Sequence, residues 1–168
     1  MCVVFVNKMN YYDRIAEGYE ELHKEEQLKK IKLIKKYLKV KSKDKLLDVG
    51  CGTGLTTVYW RCKRYGVDNA KKLLEKARQK DKVKYVYANA ANLPFKNNFF
   101  DVVISVTAIQ NFKWVEKSLK EMKRVGKKKF VFSFLKKSGK NKKIDMLIRK
   151  HFDIKKVIEG KKDYFYFS

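Results

Sequence analysis

Acidic residues are scarce in this 168-residue chain: 18 Asp and Glu stand against 42 Lys and Arg, a formal charge of +24. Proline occurs once, at Pro94, so little interrupts regular structure. Only two histidines, His23 and His151, are present, and no carboxylate–histidine cluster has metal-ligand spacing, so no metal is expected. Three cysteines (Cys2, Cys51, Cys62) make neither a disulfide framework nor paired metal spacing, which points to a reduced, cytoplasmic setting. No apolar run is long enough to cross a bilayer, and MCVVFVNKMN lacks a signal-peptide pattern. Membrane partners are not expected. At 45% hydrophobic residues, the chain has the material for a packed core.

The charge excess calls for a polyanion, and RNA or DNA is the obvious class. A competing reading is compositional. Six of the basic residues are arginine and 36 are lysine, and lysine enrichment is also a thermophile habit, though one that brings glutamate with it.

The most informative stretch is LLDVGCGTG, Leu46 to Gly54. Leu46, Leu47 and Val49 suit a strand buried on both faces. Gly50, Gly52 and Gly54 allow a tight exit turn and close approach of a ligand, and Thr53 can cap a following helix. A dinucleotide fingerprint needs G-x-G-x-x-G, yet the third position falls on Leu55 or Thr57. A P-loop needs Gly-Lys-Ser/Thr, yet Leu55 follows Gly54. What remains is D-x-G-x-G-x-G, which resembles motif I of the class I S-adenosylmethionine-dependent methyltransferases, specifically their small, ubiquinone-biosynthesis-like type 11 family.

The resemblance implies a fold and a cofactor site. Asp48 would stand beside the cationic end of S-adenosylmethionine, with Gly50, Cys51, Gly52 and Gly54 forming the loop. Asp68, twenty residues on in YGVDNA, matches the ribose-binding acid, with Asn69 beside the adenine. ANAANLPF resembles the family's G-D-A-x-x-L-P-F, so Asn89 replaces the acid that receives the adenine amino group, with Ala90 next to it. YD-x-I-A-x-x-Y (Tyr12, Asp13, Ile15, Ala16, Tyr19) resembles an N-terminal segment that closes over the cofactor.

Elsewhere the pattern alternates strand and helix. Helices are expected over Tyr11 to His23, through the Leu28, Ile31, Ile34, Leu38 stripe, after Gly54, over Ala70 to Lys80, before Gly126 and over KIDMLIRKHF. Further strands are expected at Arg64 to Val67, Val83 to Ala90, from Phe99, at KKKFVFSFLKK, and as a closing pair. The expectation is one doubly wound, Rossmann-like α/β domain over 1–168. Residues 1–40 would give a helical lid and first helix, and 45–168 a mostly parallel seven-stranded sheet with helices on both faces. The segment from Gly54 to Asp68 is shorter than the family's norm, so the first core helix must be clipped or the second strand short.

The loop after the fourth strand, Ser105 to Asn111, should face the transferred methyl group, since ligands bind at carboxyl ends of strands. Ser105-Val106-Thr107-Ala108 is not the Asn/Asp-Pro-Pro-aromatic loop of amino-group enzymes. Cys51 lies in the cofactor loop and Cys2 and Cys62 elsewhere, which disfavours a pyrimidine C5 enzyme. Gln110 and Asn111 are candidate substrate contacts, or else a helix cap. The Ile109-Gln110 pair also resembles some ribosomal-RNA guanine enzymes. His23 is a candidate base or a structural histidine.

Three functions remain open: methylation of a tRNA or rRNA base, methylation of a small metabolite, or a non-catalytic cofactor-binding subunit assisting RNA binding. The first expects basic residues such as Lys8, Lys96 and Lys113 around the carboxyl ends of the strands. The resemblance also allows a small zinc-binding activator subunit, since the family includes RNA and protein methyltransferases that are activated by one.

Overall fold

Leu46 and Leu47 are both completely buried, and they face opposite ways from one strand. That is the signature of a parallel strand sandwiched between two helical layers. The computed structural model describes residues 19–79 and 82–168. Tyr12 and the other residues before position 19 expected to form a lid, and Lys8, lie outside the described residues.

Element order is α1 (Tyr19–Tyr37), β1 (Lys45–Val49), β2 (Lys63–Asp68), α2 (Lys71–Arg78), β3 (Lys84–Tyr87) and β4 (Phe100–Val106). A 3-10 turn (Ile109–Asn111) leads into α3 (Val115–Val125), β5 (Gly126–Leu135), α4 (Asn141–His151), β6 (Lys156–Glu159) and β7 (Asp163–Phe167). The seven strands form one sheet in the order β3-β2-β1-β4-β5-β7-β6. Strands β1 to β5 pair in parallel, while β7 runs antiparallel to both β5 and β6. The doubly wound, mostly parallel fold expected from the sequence is what the chain adopts.

Alternation along β5 assigns the two faces. Phe130, Phe132 and Phe134 enter one core with Leu47, Val49 and the apolar sides of α3 (Leu119, Met122) and α4 (Ile144, Ile148). Val131 enters the other core with Leu46, Val102, Ile104 and the α1 residues Ile31 and Ile34. Full burial of a side chain such as Phe132 contributes about 1.5–3 kcal/mol. α2 packs Leu74 and Ala77 on Tyr85 and Cys51.

Two expectations need correction. The helix predicted after Gly54 is absent: residues 52–59 are turns, with the amides of Thr57 and Val58 both reaching the Gly54 carbonyl at 3.0 and 3.1 Å. Thr53 therefore caps nothing, and its buried hydroxyl has no partner. The physical reason lies one turn later. Thr56 and Thr57 both donate to the Asp48 carboxylate, at 2.5 and 2.8 Å, which folds the chain back on β1 before a helix can extend. Trp60, 3% exposed, then packs into the core of Leu46, Val102 and Ile104. The two amphipathic runs at the N-terminal side form one helix in the described part, α1, and its Lys30 is buried among the apolar positions.

Candidate functional site

Strand order reverses between β1 and β4, and the crevice at their carboxyl ends is where an open α/β sheet takes its ligand. The glycine loop occupies that point. Its amides at Gly50 and Cys51 both donate to the Val67 carbonyl, at 2.7 and 3.1 Å, anchoring the loop to the end of β2. Gly50, Gly52 and Gly54 have φ of 77°, 54° and 78°, in the left-handed region that favours glycine. Side chains are also excluded by space. A Cβ on Gly50 would stand 2.5 Å from Ala108 Cβ, and one on Gly54 would overlap Tyr85 Oη.

Two carboxylates flank the loop in different surroundings. Asp48 is wholly buried; Oδ2 receives Thr56 and Thr57, whereas Oδ1 has no hydrogen-bond partner. Burial pushes its pKa up to about 6, against the two threonine hydroxyls that favour the charged form. Asp68 ends β2 and spans two backbone amides, Gly52 N–H to Oδ2 and Ala70 N–H to Oδ1, each at 2.8 Å. A carboxylate has about four lone-pair sites, so it is a group of the kind that accepts several donors at once. Asn69 is exposed next to it, and the Ala88 amide reaches the Asp68 carbonyl at 3.1 Å, drawing the β2 and β3 exit loops together. Asn89 is exposed in that second loop, with its Oδ1 accepting the Ala91 amide at 2.8 Å; Ala90 beside it is buried.

The predicted acceptor loop is only partly as expected. Ser105 faces inward: it is fully buried and donates to the Val49 carbonyl at 2.8 Å, so it fastens β4 to β1. Ala108 and Phe112 lie directly against Gly50. Gln110 is 8% exposed, donates from Nε2 to the Thr107 carbonyl at 2.8 Å, and leaves Oε1 buried without a partner. Asn111 is half-buried in the 3-10 turn, and α3 begins from Trp114 with no side-chain cap, so neither residue is a helix N-cap. His23 lies in α1, one turn before Glu26. Lys96 is not where the sequence pattern predicts. Its neighbours Phe95 and Asn97 are held by Arg124 at the far end of α3, near the amino ends of β4 and β5. Lys113, by contrast, follows the 3-10 turn at the carboxyl ends.

Cysteine chemistry is disfavoured at the loop. Burial and the neighbouring Asp68 and Asp48 raise the Cys51 thiol well above its ordinary value, and burial lifts Cys62 to about 11. Among the described residues, no group of three His, Cys, Asp or Glu could hold a metal, and no helix is long and apolar enough to cross a membrane.

Sequence reasoning missed four participants: Lys30, Thr56, Thr57 and Asp163. The threonines were legible as adjacent hydroxyls eight and nine residues past Asp48. Lys30, four residues before Ile34, stood inside an apolar stripe.

This sheet order, with a D-x-G-x-G-x-G loop at its reversal point, defines the class I methyltransferase fold. The family described as "Methyltransferase domain" matches residues 47–134, and the chain belongs to that family, whose cofactor is S-adenosylmethionine. An uncharacterized protein of Methanocaldococcus jannaschii is 34% identical over 126 residues, covering 74% of this chain and 49% of its own length. The demethylmenaquinone methyltransferase of Staphylococcus saprophyticus is 34% identical, covering 73% of this chain and 55% of the relative. The chain thus spans about half the length of the curated relatives it matches. A solved methyltransferase of Thermotoga maritima, titled a possible histamine N-methyltransferase, superposes with a TM-score of 0.75 at 19% identity, covering 93% of this chain and 97% of that one. A Haloferax volcanii methyltransferase, solved in complex with the Trm112 activator, gives 0.67 at 21% identity, covering 73% and 59%. At such identities the likeness concerns the fold.

The residues present fit the cofactor. The orphaned Asp48 Oδ1 is an acceptor in want of a donor, the glycines keep the backbone bare, and Asp68 sets a carboxylate at the loop's edge.

Proposed function

We propose that this chain transfers the methyl group of S-adenosylmethionine to an RNA base. The observation that supports RNA most is a cleft of about 510 Å³ beyond the acceptor loop. Lys113, Lys117, Lys120, Lys140 and Lys143 line it together with Glu116 and with Trp114, which is 54% exposed. Lys113 Nζ lies 5.0 Å from the centre of the indole, and Lys140 Nζ reaches the Phe112 carbonyl at 3.4 Å, so cleft and acceptor loop adjoin. Lysines meet phosphates without regard to sequence, and an exposed indole offers a base a stacking surface. The +24 charge supplies long-range attraction.

In this reading Gly50, Cys51, Gly52 and Gly54 hold the amino-acid end of the cofactor, with Asp48 favouring its positive charge. Asp68 receives the ribose hydroxyls, while Asn69, Asn89 and Ala90 border the adenine. When bound, the cofactor supplies an activated, electrophilic methyl group. The protein's task is then mainly to align the acceptor, which alone can account for most of the acceleration. Gln110 and Asn111 stand on the acceptor side, and closure of the site is assigned to Tyr12 and Tyr19 by the family resemblance alone. A base is needed only for an acceptor that must lose a proton.

A second reading, a small aromatic metabolite as acceptor, draws on the relatives named as methyltransferases of 2-phytyl-1,4-naphtoquinone and demethylmenaquinone. A small activator subunit is part of the RNA reading. Among the described residues β3 pairs only with β2, and its Tyr87 is 54% exposed, which makes β3 the edge proposed to take an added strand. Incubation of RNA, protein and metabolite extracts with methyl-labelled cofactor, with and without an activator of the Trm112 kind, tests all three. Label in one structured RNA is expected; label confined to a metabolite overturns the RNA assignment.

A further inference from the structure

Thr107 is the first residue beyond β4, and its φ of 54° puts a β-branched side chain in the left-handed region. Such a residue keeps that conformation only where its surroundings over-determine it. Three other elements converge on Thr107. Its amide donates to the Ser133 carbonyl on β5 at 2.9 Å and lies 2.9 Å from the Ser133 hydroxyl as well. Its own hydroxyl accepts from Lys30 Nζ of α1 at 2.8 Å and donates to Asp163 Oδ1 of β7 at 2.9 Å. Lys30 in turn meets Asp163 Oδ2 and Glu26 Oε1, each at 2.9 Å. Lys30 is 6% exposed and Asp163 2%.

A buried ion pair is expensive to desolvate, and an apolar pair of the same size is often as stable. An apolar pair could not grip a hydroxyl, however. Thr107 Oγ1 needs a donor and an acceptor at once, and the ammonium and carboxylate supply one each. What this grip holds is the loop beyond. The Thr107 carbonyl anchors Gln110, the Asn111 amide returns to Ala108 at 2.9 Å, and Ala108 and Phe112 rest where a side chain on Gly50 would stand.

We propose that Lys30 and Asp163 are positioning residues for methyl transfer. By clamping Thr107 in its left-handed conformation they seat residues 107–112 against Gly50, and so fix the acceptor side of the site relative to the cofactor loop. The inference rests on the family's methyl transfer and on no particular acceptor.

Substitutions at position 107 separate this role from plain structural support. Thr107→Val keeps the shape and the backbone strain but removes the hydroxyl that is clamped. Thr107→Gly also removes the hydroxyl, yet reaches a positive φ with no clamp. By hydrogen exchange, the valine variant is expected to exchange about tenfold faster across 107–112, with β4 and β5 unchanged, while the glycine variant stays at least halfway toward wild type. The Lys30→Met/Asp163→Leu pair should behave like valine, and adding Thr107→Gly to it should restore protection.

On any acceptor found with labelled cofactor, kcat should fall roughly 10- to 100-fold in the valine variant, with the KM for cofactor within about twofold. Equal loosening by valine and glycine, or faster exchange spread through β4 and β5, overturns the proposal. So does a loosened loop with wild-type kcat. Because exchange is read without an acceptor, failure here is distinct from failure of the RNA assignment.

Discussion

Asp68 accepts the amide of Gly52 across the mouth of the site, at 2.8 Å, so the acid proposed to receive the ribose and the middle glycine of the loop are mechanically one unit. Its other oxygen holds the Ala70 amide just before α2. The carboxylate is thereby fixed in orientation before any ligand arrives, and little side-chain freedom remains to be lost on binding.

Asp68→Ala should therefore do two things. It removes the acceptor for two hydroxyls and unties the loop, weakening cofactor binding by about 2–3 kcal/mol. Titration calorimetry with S-adenosylmethionine reads this directly. A folded Asp68→Ala protein with unchanged affinity would falsify the ribose assignment, as would tight NAD binding to wild type.

Asp48 predicts a pH dependence of opposite sign for stability and for binding. Its folded pKa, about 6, lies above the reference of 3.8, so the folded chain binds this proton more tightly than the unfolded one. The stabilisation from protonation is complete below about 3.8 and is lost as pH rises through 6, on the order of 3 kcal/mol. A cationic ligand favours the carboxylate, so cofactor affinity should rise between pH 5 and 7. In Asp48→Asn both trends should flatten, as followed by denaturant titration and calorimetry across that range. A binding curve as steep as wild type's in Asp48→Asn would place the titrating group elsewhere.

Gly54→Ala combines a φ of 78° with a Cβ that would overlap Tyr85 Oη. The expected loss is about 1–3 kcal/mol of stability from backbone strain, plus displacement of Tyr85. Urea unfolding should show a lower midpoint at similar slope. A midpoint equal to that of wild type would mean that the loop relaxes freely.

Charge reversal in the lysine cleft should act on RNA and spare the cofactor. Lys113→Glu with Lys117→Glu should lower RNA affinity and flatten its salt dependence by roughly 0.7 in log–log slope for each phosphate no longer neutralised. Trp114→Ala should weaken single-stranded RNA by about 1–3 kcal/mol if a base stacks there. RNA binding indifferent to all three changes would remove the cleft from the acceptor path.

The local sequence determined much of this protein. Leu46, Leu47 and Val49 make both sides of a strand apolar, and the three glycines suit a turn of positive φ, so the glycine loop was legible from residues adjacent in the chain. Asp68 was legible for the same reason, at the end of the next strand, and so was the order of strands and helices from their periodicities. Tertiary structure decided what depends on residues far apart. The two threonines were visible, but only Asp48 buried beneath them turned a predicted helix into a turn. Ser105, expected to face the methyl group, is drawn inward by a carbonyl 56 positions earlier. The Lys30, Thr107 and Asp163 cluster joins sites 77 and 56 positions apart. Beyond Lys30's place beside an apolar stripe, nothing in a helical lysine, a loop threonine or a strand-end aspartate distinguishes them until the fold brings α1, β4 and β7 together, because burial and pairing of charge are properties of the packed chain.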